Sequence, residues 1–221
     1  TPTENSLRGA NMGDRDYDVS SLTLKIETDF GTITSITANQ EFYDQFNLDR
    51  DATALALIDV ADVSETDTFT QELNLNVEKD TMSLVFGVFY LDDETSRINH
   101  FEFPQPVFGF PTASQFIFHH EKMNTVSHAY FADGTFDLND TTRLSLGVRK
   151  TTDEFTSKQN NLINLMMPGP VTIAQTCLRE EVMEFSSTTS RAVIQHDLSA
   201  ESNVYASISE GFKAGGYATY E

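Results

Sequence analysis

Three segments of this chain alternate apolar and polar residues with a period of two, and that pattern constrains the fold more than any other feature. Leu22, Leu24 and Ile26 alternate with Ser21, Thr23, Lys25 and Glu27. Phe69, Leu73, Leu75 and Val77 are opposed by Thr68, Thr70, Glu72, Asn74 and Asn76. Leu144, Leu146 and Val148 alternate with Arg143, Ser145, Gly147 and Arg149. Successive strand side chains point to opposite faces, so each segment reads as a strand with one apolar and one strongly polar side. Thr32–Ala38 mixes the two faces and Met82–Leu91 is apolar on both; their neighbours make them strands by context.

The connections alternate as well. Short turn signals rich in Gly, Asp, Asn and Ser occur near Asp29–Gly31, Glu78–Thr81, Leu138–Thr141 and Leu198–Ser202. Between them run long stretches without alternation, Asn39–Glu65, Asp92–Thr125 and Thr151–Glu184, which read as irregular loops. A β-sandwich has no reason to place every long connection at one end, whereas transmembrane barrels pair short turns on one side with long loops on the other. The predicted class is therefore all-β: an antiparallel transmembrane β-barrel wall of about eight strands. Leu22, Leu24, Ile26, Leu73, Leu75, Leu144, Leu146 and Val148 are expected to face lipid. Tyr90, Phe136 and His196, beside turns or loops, are expected at the headgroup level.

Composition narrows the partners. Thirty-four acidic residues against 14 basic ones argue against nucleic acid, because little here could neutralise a phosphate backbone. A single cysteine, Cys177, leaves no internal disulfide framework. The longest apolar run, Met82–Leu91, is broken by Ser83 and Gly87 and is too short for a membrane-spanning helix.

No catalytic constellation, metal site or cofactor motif emerges. His119 and His120 precede Glu121, but adjacent residues in an extended chain rarely aim at one ion. Ser127-His128 lacks a nucleophile elbow, and Gly211–Gly216 lacks the ending of a phosphate loop. The candidates for substrate binding are Phe101, Phe103, Phe108, Phe110, Phe116 and Phe118, interleaved with Pro104, Pro106 and Pro111. Aromatic rings offer large contact area at small entropic cost; the alternative is that they pack on one another to fold the loop over the barrel mouth. Glu41, Asp44, Asp49, Asp51, Asp59, Asp62 and Glu65, set against Arg50, give the first long stretch an acidic character that favours a cationic or neutral cargo.

Val204–Tyr217, VYASISEGFKAGGY, resembles a segment of the barrel domain of TonB-dependent outer-membrane receptors. Phe69–Leu75 with its core Gln71–Leu73, Leu84–Asp93, Ala129–Leu138, Leu144–Arg149 and Ser190–Leu198 resemble further strands of that family in matching order. The likeness is greatest to the iron-complex, or siderophore, receptor branch. It implies a receptor in the outer membrane of a Gram-negative bacterium that imports a bulky nutrient such as a siderophore–iron complex. The implied partners are outer-membrane lipid, the TonB machinery acting through a plug domain, and the small-molecule cargo. The family's barrel has about 22 strands around a plugged lumen. Residues 1–221 are thus expected to be a fragment of the barrel domain, without plug, TonB-engaging segment or C-terminal strands. A passive porin-like or adhesive barrel is the alternative, and a soluble β-rich binding module a more distant one.

Overall fold

In the computed structural model, which describes residues 12–50, 59–103, 115–165 and 172–216, every regular element among the described residues is a strand. In chain order these are β1 (Met12–Thr28), β2 (Gly31–Asp49), β3 (Asp59–Lys79), β4 (Met82–Phe103), β5 (Gln115–Asn139), β6 (Thr142–Leu165), β7 (Thr172–Ser199) and β8 (Ser202–Ser209). They form one antiparallel sheet in sequence order, each strand pairing with its chain neighbours.

At one end the hairpins close through the two-residue turns Asp29-Phe30, Asp80-Thr81, Asp140-Thr141 and Ala200-Glu201. Their chemistry is local. Asn139 Oδ1 accepts hydrogen bonds from the Thr141 amide and hydroxyl, both at 3.0 Å. Ser199 Oγ accepts one from the Glu201 amide at 3.3 Å, so each side chain stands in for backbone in a tight turn. Gly31 adopts φ 156°, and a Cβ there would overlap the carbonyl oxygen of Asn76; glycine alone meets both conditions. At the opposite end β2 stops at Asp49 where β3 starts at Asp59, β4 at Phe103 where β5 starts at Gln115, and β6 at Leu165 where β7 starts at Thr172.

Register decides which side chains share a face, because residues directly opposite in an antiparallel ladder project to the same side. One row runs Ile26, Ile33, Leu75, Phe86, Ala132, Val148 and Ser190 across seven strands. The next towards the turns runs Val77, Leu84, Gly134, Leu146, Ala192 and Ile208. All eight residues expected to face lipid lie on this leucine face. The other side is an arginine face: Arg15, Arg97, Arg143, Arg149, Arg179 and Arg191 all project there. Val60, Asp62, Asn99, Glu121, Ser127, Ala129 and Ser157 are buried and share the arginine face, whereas Leu22, Leu24, Ile26, Leu146 and Val148 are exposed. Side chains therefore crowd on the arginine face, which is the inner side of the wall.

The turns recede stepwise along the sheet. Measured from the row Leu22–Thr37–Gln71–Tyr90–His128–Thr152, Thr28 lies six residues away, Met82 eight and Thr142 ten. That slip is one residue per strand, or ~3.3 Å along for every ~4.8 Å across, a tilt of about 35°. Closed barrels require strands tilted by about 35–45°. The apolar stretch of β4 from Met82 to Tyr90 is ~27 Å along the strand and about 22 Å tall once tilted, close to the ~25 Å apolar band of transmembrane barrels. At its upper edge the Tyr90 ring lies 5.1 Å from His128 and 6.2 Å from Phe69. Near the short turns Phe136 sits opposite Met82, and His196 Nδ1 meets Thr142 Oγ1 at 2.9 Å.

Beyond the upper edge the pattern inverts. On β1 the apolar residues pass from Leu22 on the leucine face to Val19 and Tyr17 on the arginine face. On β7 they pass from Ile194 and Ala192 to Phe185 and Met183, and on β6 from Val148 to Phe155. This explains a correction. The stretches Asn39–Glu65, Asp92–Thr125 and Thr151–Glu184, read from sequence as irregular, are mostly continuations of β2 to β7. They stand beyond the apolar band, where most outer-face residues are polar and the alternation loses its phase, so a period-two template that fits the lower strand fails on the upper.

Candidate functional site

The surface able to meet a solute is the inner, arginine face, and its lower half is organised by two glycines. Gly147 on β6 lies directly between Asp133 on β5 and Arg191 on β7. Without a side chain there, Arg191 reaches over β6 and grips Asp133 with Nε–Oδ2 and Nη2–Oδ1 hydrogen bonds, both 2.8 Å. A Cβ at Gly147 would overlap Asp133 Oδ2 and lie 3.0 Å from Arg191 Cγ and Nε. Gly87 on β4 does the same for an aromatic ring: its absent Cβ leaves the space that Phe131 and the Asn74 side chain fill. Arg149 then lies over both Phe89 and Phe131, 5.5 Å from each ring centroid. This explains why β4 is apolar on both faces. A recess of about 250 Å³ is lined here by Phe131, Asp133, Gly147, Arg149, Thr189 and Arg191.

The upper half combines rings with a buried polar network. Asp62 on β3 accepts hydrogen bonds from Arg97 Nε and Nη2 at 3.0 and 2.8 Å and from Asn99 Nδ2 at 2.6 Å. Glu121, opposite Arg97, accepts one from Gln159 Nε2 at 3.1 Å. Arg15 pairs with Asp44 through two hydrogen bonds of 3.1 and 3.0 Å and lies 5.7 Å from the Phe42 ring. The Asp44 carboxylate, through those bonds and its charge, raises the guanidinium pKa of Arg15 above its ordinary value. Charge-assisted forks of this kind fix geometry as well as energy.

In the first long stretch, Asn39–Glu65, the acidic residues divide between the two faces. Asp44 and Asp62 are its inward members among the described residues, and each is matched by an arginine; Glu41, Asp49, Asp59 and Glu65 project to the outer face. Asp51 lies outside the described residues.

The candidate phenylalanines separate. Phe101, on the inner face of β4, meets the His119 ring edge-on at 6.3 Å and the Arg50 guanidinium at 5.7 Å. Phe103, Phe116 and Phe118 occupy paired strand positions rather than a loop, Phe103 opposite Gln115, Phe116 opposite Glu102 and Phe118 opposite His100; their side chains lie outside the described set. Phe108 and Phe110 lie outside the described residues altogether, and so does the side chain of Cys177. His119 and His120 project to opposite faces, His120 towards Ser96 Oγ at 3.5 Å, and Ser127 and His128 are likewise split. Among the described residues no three His, Cys, Asp or Glu side chains converge as metal ligands. Beyond β8 the glycine segment folds over the inner face, where a Cβ on Gly215 would lie 2.7 Å from Phe185 Cζ.

Sequence reading missed the Asp62–Arg97–Asn99 network and the Arg191–Asp133 bridge, whose partners are 35 to 58 residues apart. One signal was present: glycine inside a strand marks close approach by a neighbour, and Gly87 and Gly147 are both such residues.

Comparison with known proteins agrees with this geometry. The family model described as TonB dependent receptor-like, beta-barrel, matches residues 1–220. No curated protein matches the chain. Among solved structures, the ferric yersiniabactin uptake receptor FyuA from Yersinia pestis superposes with a TM-score of 0.70 at 17% identity, over 92% of this chain and 30% of that one. The ferric-catecholate import receptor Fiu from E. coli K12, in its open form, gives 0.58 at 12% identity, over 90% of this chain and 36% of that one. The chain thus spans about a third of the length of these structures, and at such identity the likeness is one of fold. The chain belongs to the TonB-dependent receptor-like β-barrel family.

Proposed function

We propose that this chain is part of the wall of a receptor in the outer membrane of Gram-negative bacteria that binds a bulky nutrient and imports it with energy delivered by TonB. The cargo class we infer is a siderophore–iron complex, in keeping with the named activities of FyuA and Fiu. The observation that carries the reading is the change of polarity on passing up the sheet, clearest on β1, β2 and β6. Below the Phe69–Tyr90–His128 level the outer face is apolar, as lipid demands, and above it the inner face gathers Phe42, Phe101, Met123, Phe155 and Phe185. Rings on the inside of the outward-reaching half form a vestibule suited to a large, partly aromatic solute. The work of such a surface is binding and passage.

β1 pairs only with β2 and β8 only with β7 among the described residues. Unpaired edges are not tolerated in a bilayer, so the wall continues through further strands in the working receptor, with a plug domain as the element TonB would act on. The test uses the full-length protein in its native host. Uptake of radiolabelled ferric chelates should require both the receptor and TonB, and Phe101→Ala should weaken cargo binding while the receptor still reaches the outer membrane. Passive, TonB-independent permeation of small solutes would overturn the reading.

A further inference from the structure

On the outer face, a groove of about 620 Å³ crosses β5 to β7 within the apolar band. Its floor is made by the small residues Ala132, Gly134 and Ala192, and Phe86, Leu146 and Val148 stand along it. The depression follows from residue size: in these two rows, large side chains on β4 and β6 alternate with small ones on β5 and β7.

The row immediately above differs in kind. Tyr130, Lys150 and Thr188 lie directly opposite one another on β5, β6 and β7, one step up from Ala132, Val148 and Ser190. All three are exposed. The arginines of the described strands project inward and most grip a carboxylate, whereas Lys150 projects outward at the rim of the groove and forms no ion pair among the described residues. Lys158, further up the same face, is held by Glu180 at 2.9 Å. The groove's one lining carboxylate on the β8 side, Glu210, is engaged by the amide and hydroxyl of Ser190 at 3.2 and 2.8 Å. An ammonium flanked by a phenol and a hydroxyl, set above an apolar trough, matches the chemistry of one amphiphile: phosphate above, hydrocarbon below.

We propose that this face holds a single phosphate-bearing lipid, its phosphate on Lys150 between Tyr130 and Thr188 and an acyl chain along the Ala132–Gly134–Ala192 trough. Charge complementarity selects the occupant. In a chain of net charge −20, an outward lysine at the edge of the apolar band attracts an anionic headgroup over a neutral one. The proposal rests on the outer face meeting lipid.

The experiment is native mass spectrometry of the full-length receptor extracted from membranes in mild detergent, with retained lipid identified by mass. One phosphate-bearing lipid should stay bound to the wild type. Lys150→Gln should lower its occupancy roughly fivefold, the weight of one lysine at a lipid surface, and Ala192→Phe, which fills the trough, should do so too. Lys122→Gln, higher on the same face, should leave it unchanged. Lys150→Gln alters an exposed side chain, so its folding, checked by heat-modifiable gel mobility, does not depend on the fate of Ala192→Phe. Equal retention by wild type and Lys150→Gln overturns the proposal, as does retention of phosphate-free lipid alone. A receptor that never enters the membrane overturns the lipid-facing reading with it, whereas a membrane-inserted receptor with unchanged retention overturns only the lipid site.

Discussion

Gly147→Ala in the full-length receptor sets two physical effects of opposite sign against each other. Glycine within a strand costs about 0.5–1 kcal/mol relative to alanine through backbone entropy, so the substitution taken alone is stabilising. Against this, the new methyl would overlap Asp133 Oδ2 and crowd Arg191 Nε at 3.0 Å, breaking a bidentate bridge of two 2.8 Å hydrogen bonds. Both partners are partly solvated, with side chains 52% and 30% exposed, so the bridge is credited with only about 1 kcal/mol, the upper end for exposed ion pairs. Gly147→Ala is therefore expected to be neutral to destabilising by about 0.5 kcal/mol in the wild-type background. With Arg191→Ala, Asp133 is free to swing aside, and the same change should stabilise by about 0.5 kcal/mol. The assay is urea unfolding of the receptor in lipid vesicles, run as a double-mutant cycle, with an expected coupling of about 1 kcal/mol. The same sign and size of effect in both backgrounds would refute the role assigned to Gly147.

Other consequences follow from the two faces. A lumen-reactive thiol reagent should label Ser145→Cys but not Leu144→Cys in a single-cysteine background, and the reverse pattern would invert the wall. Leu146→Arg, within the outer apolar band, should cost about 2–4 kcal/mol in vesicle unfolding, against roughly zero for Ser145→Arg on the inner side. Asp62→Ala removes the acceptor shared by Arg97 and Asn99 and should destabilise by about 2–3 kcal/mol, measured by the same unfolding assay; an unchanged midpoint would show that the network is incidental. At the turn end, hydrogen bonds from Arg143 and Gln195 hold the Asp197 carboxyl below its ordinary pKa. A depressed folded-state pKa stabilises above the unfolded value of about 3.9 and loses that contribution as pH falls through the folded value. Arg143→Gln should therefore raise the Asp197 pKa, read by pH titration of carboxylate infrared bands, and make unfolding less dependent on acid; an unmoved titration would contradict the pairing.

What the sequence determined by itself is local. Leu22, Leu24 and Ile26, or Leu144, Leu146 and Val148, share a face wherever their strand lies, because side-chain alternation is a property of extended backbone. The tight turns were legible for the same reason: Asn139 and Ser199 bond to backbone only two residues away. These features were enough to indicate an antiparallel meander, a lipid-compatible face and, with the family resemblance, the kind of barrel.

The tertiary structure decided how far each strand runs and which distant side chains meet. β7 extends over Thr172–Ser199, yet Ala192 and Ile194 lie on its outer face and Met183 and Phe185 on its inner one, a change of phase that goes with a change of medium along the strand. The cause of that switch is not encoded within any short window. Asp62 appeared in the sequence as one more acidic residue; its partners Arg97 and Asn99 are fixed by the β3–β4 register, and a one-residue slip between the two strands would put Asp62 on the opposite face from both. Arg191 reaches Asp133 only because Gly147 occupies the strand between them. Periodicity gives each strand two faces, but which face is inner, where it changes character and what it binds depend on the neighbouring strands and on the medium around the sheet.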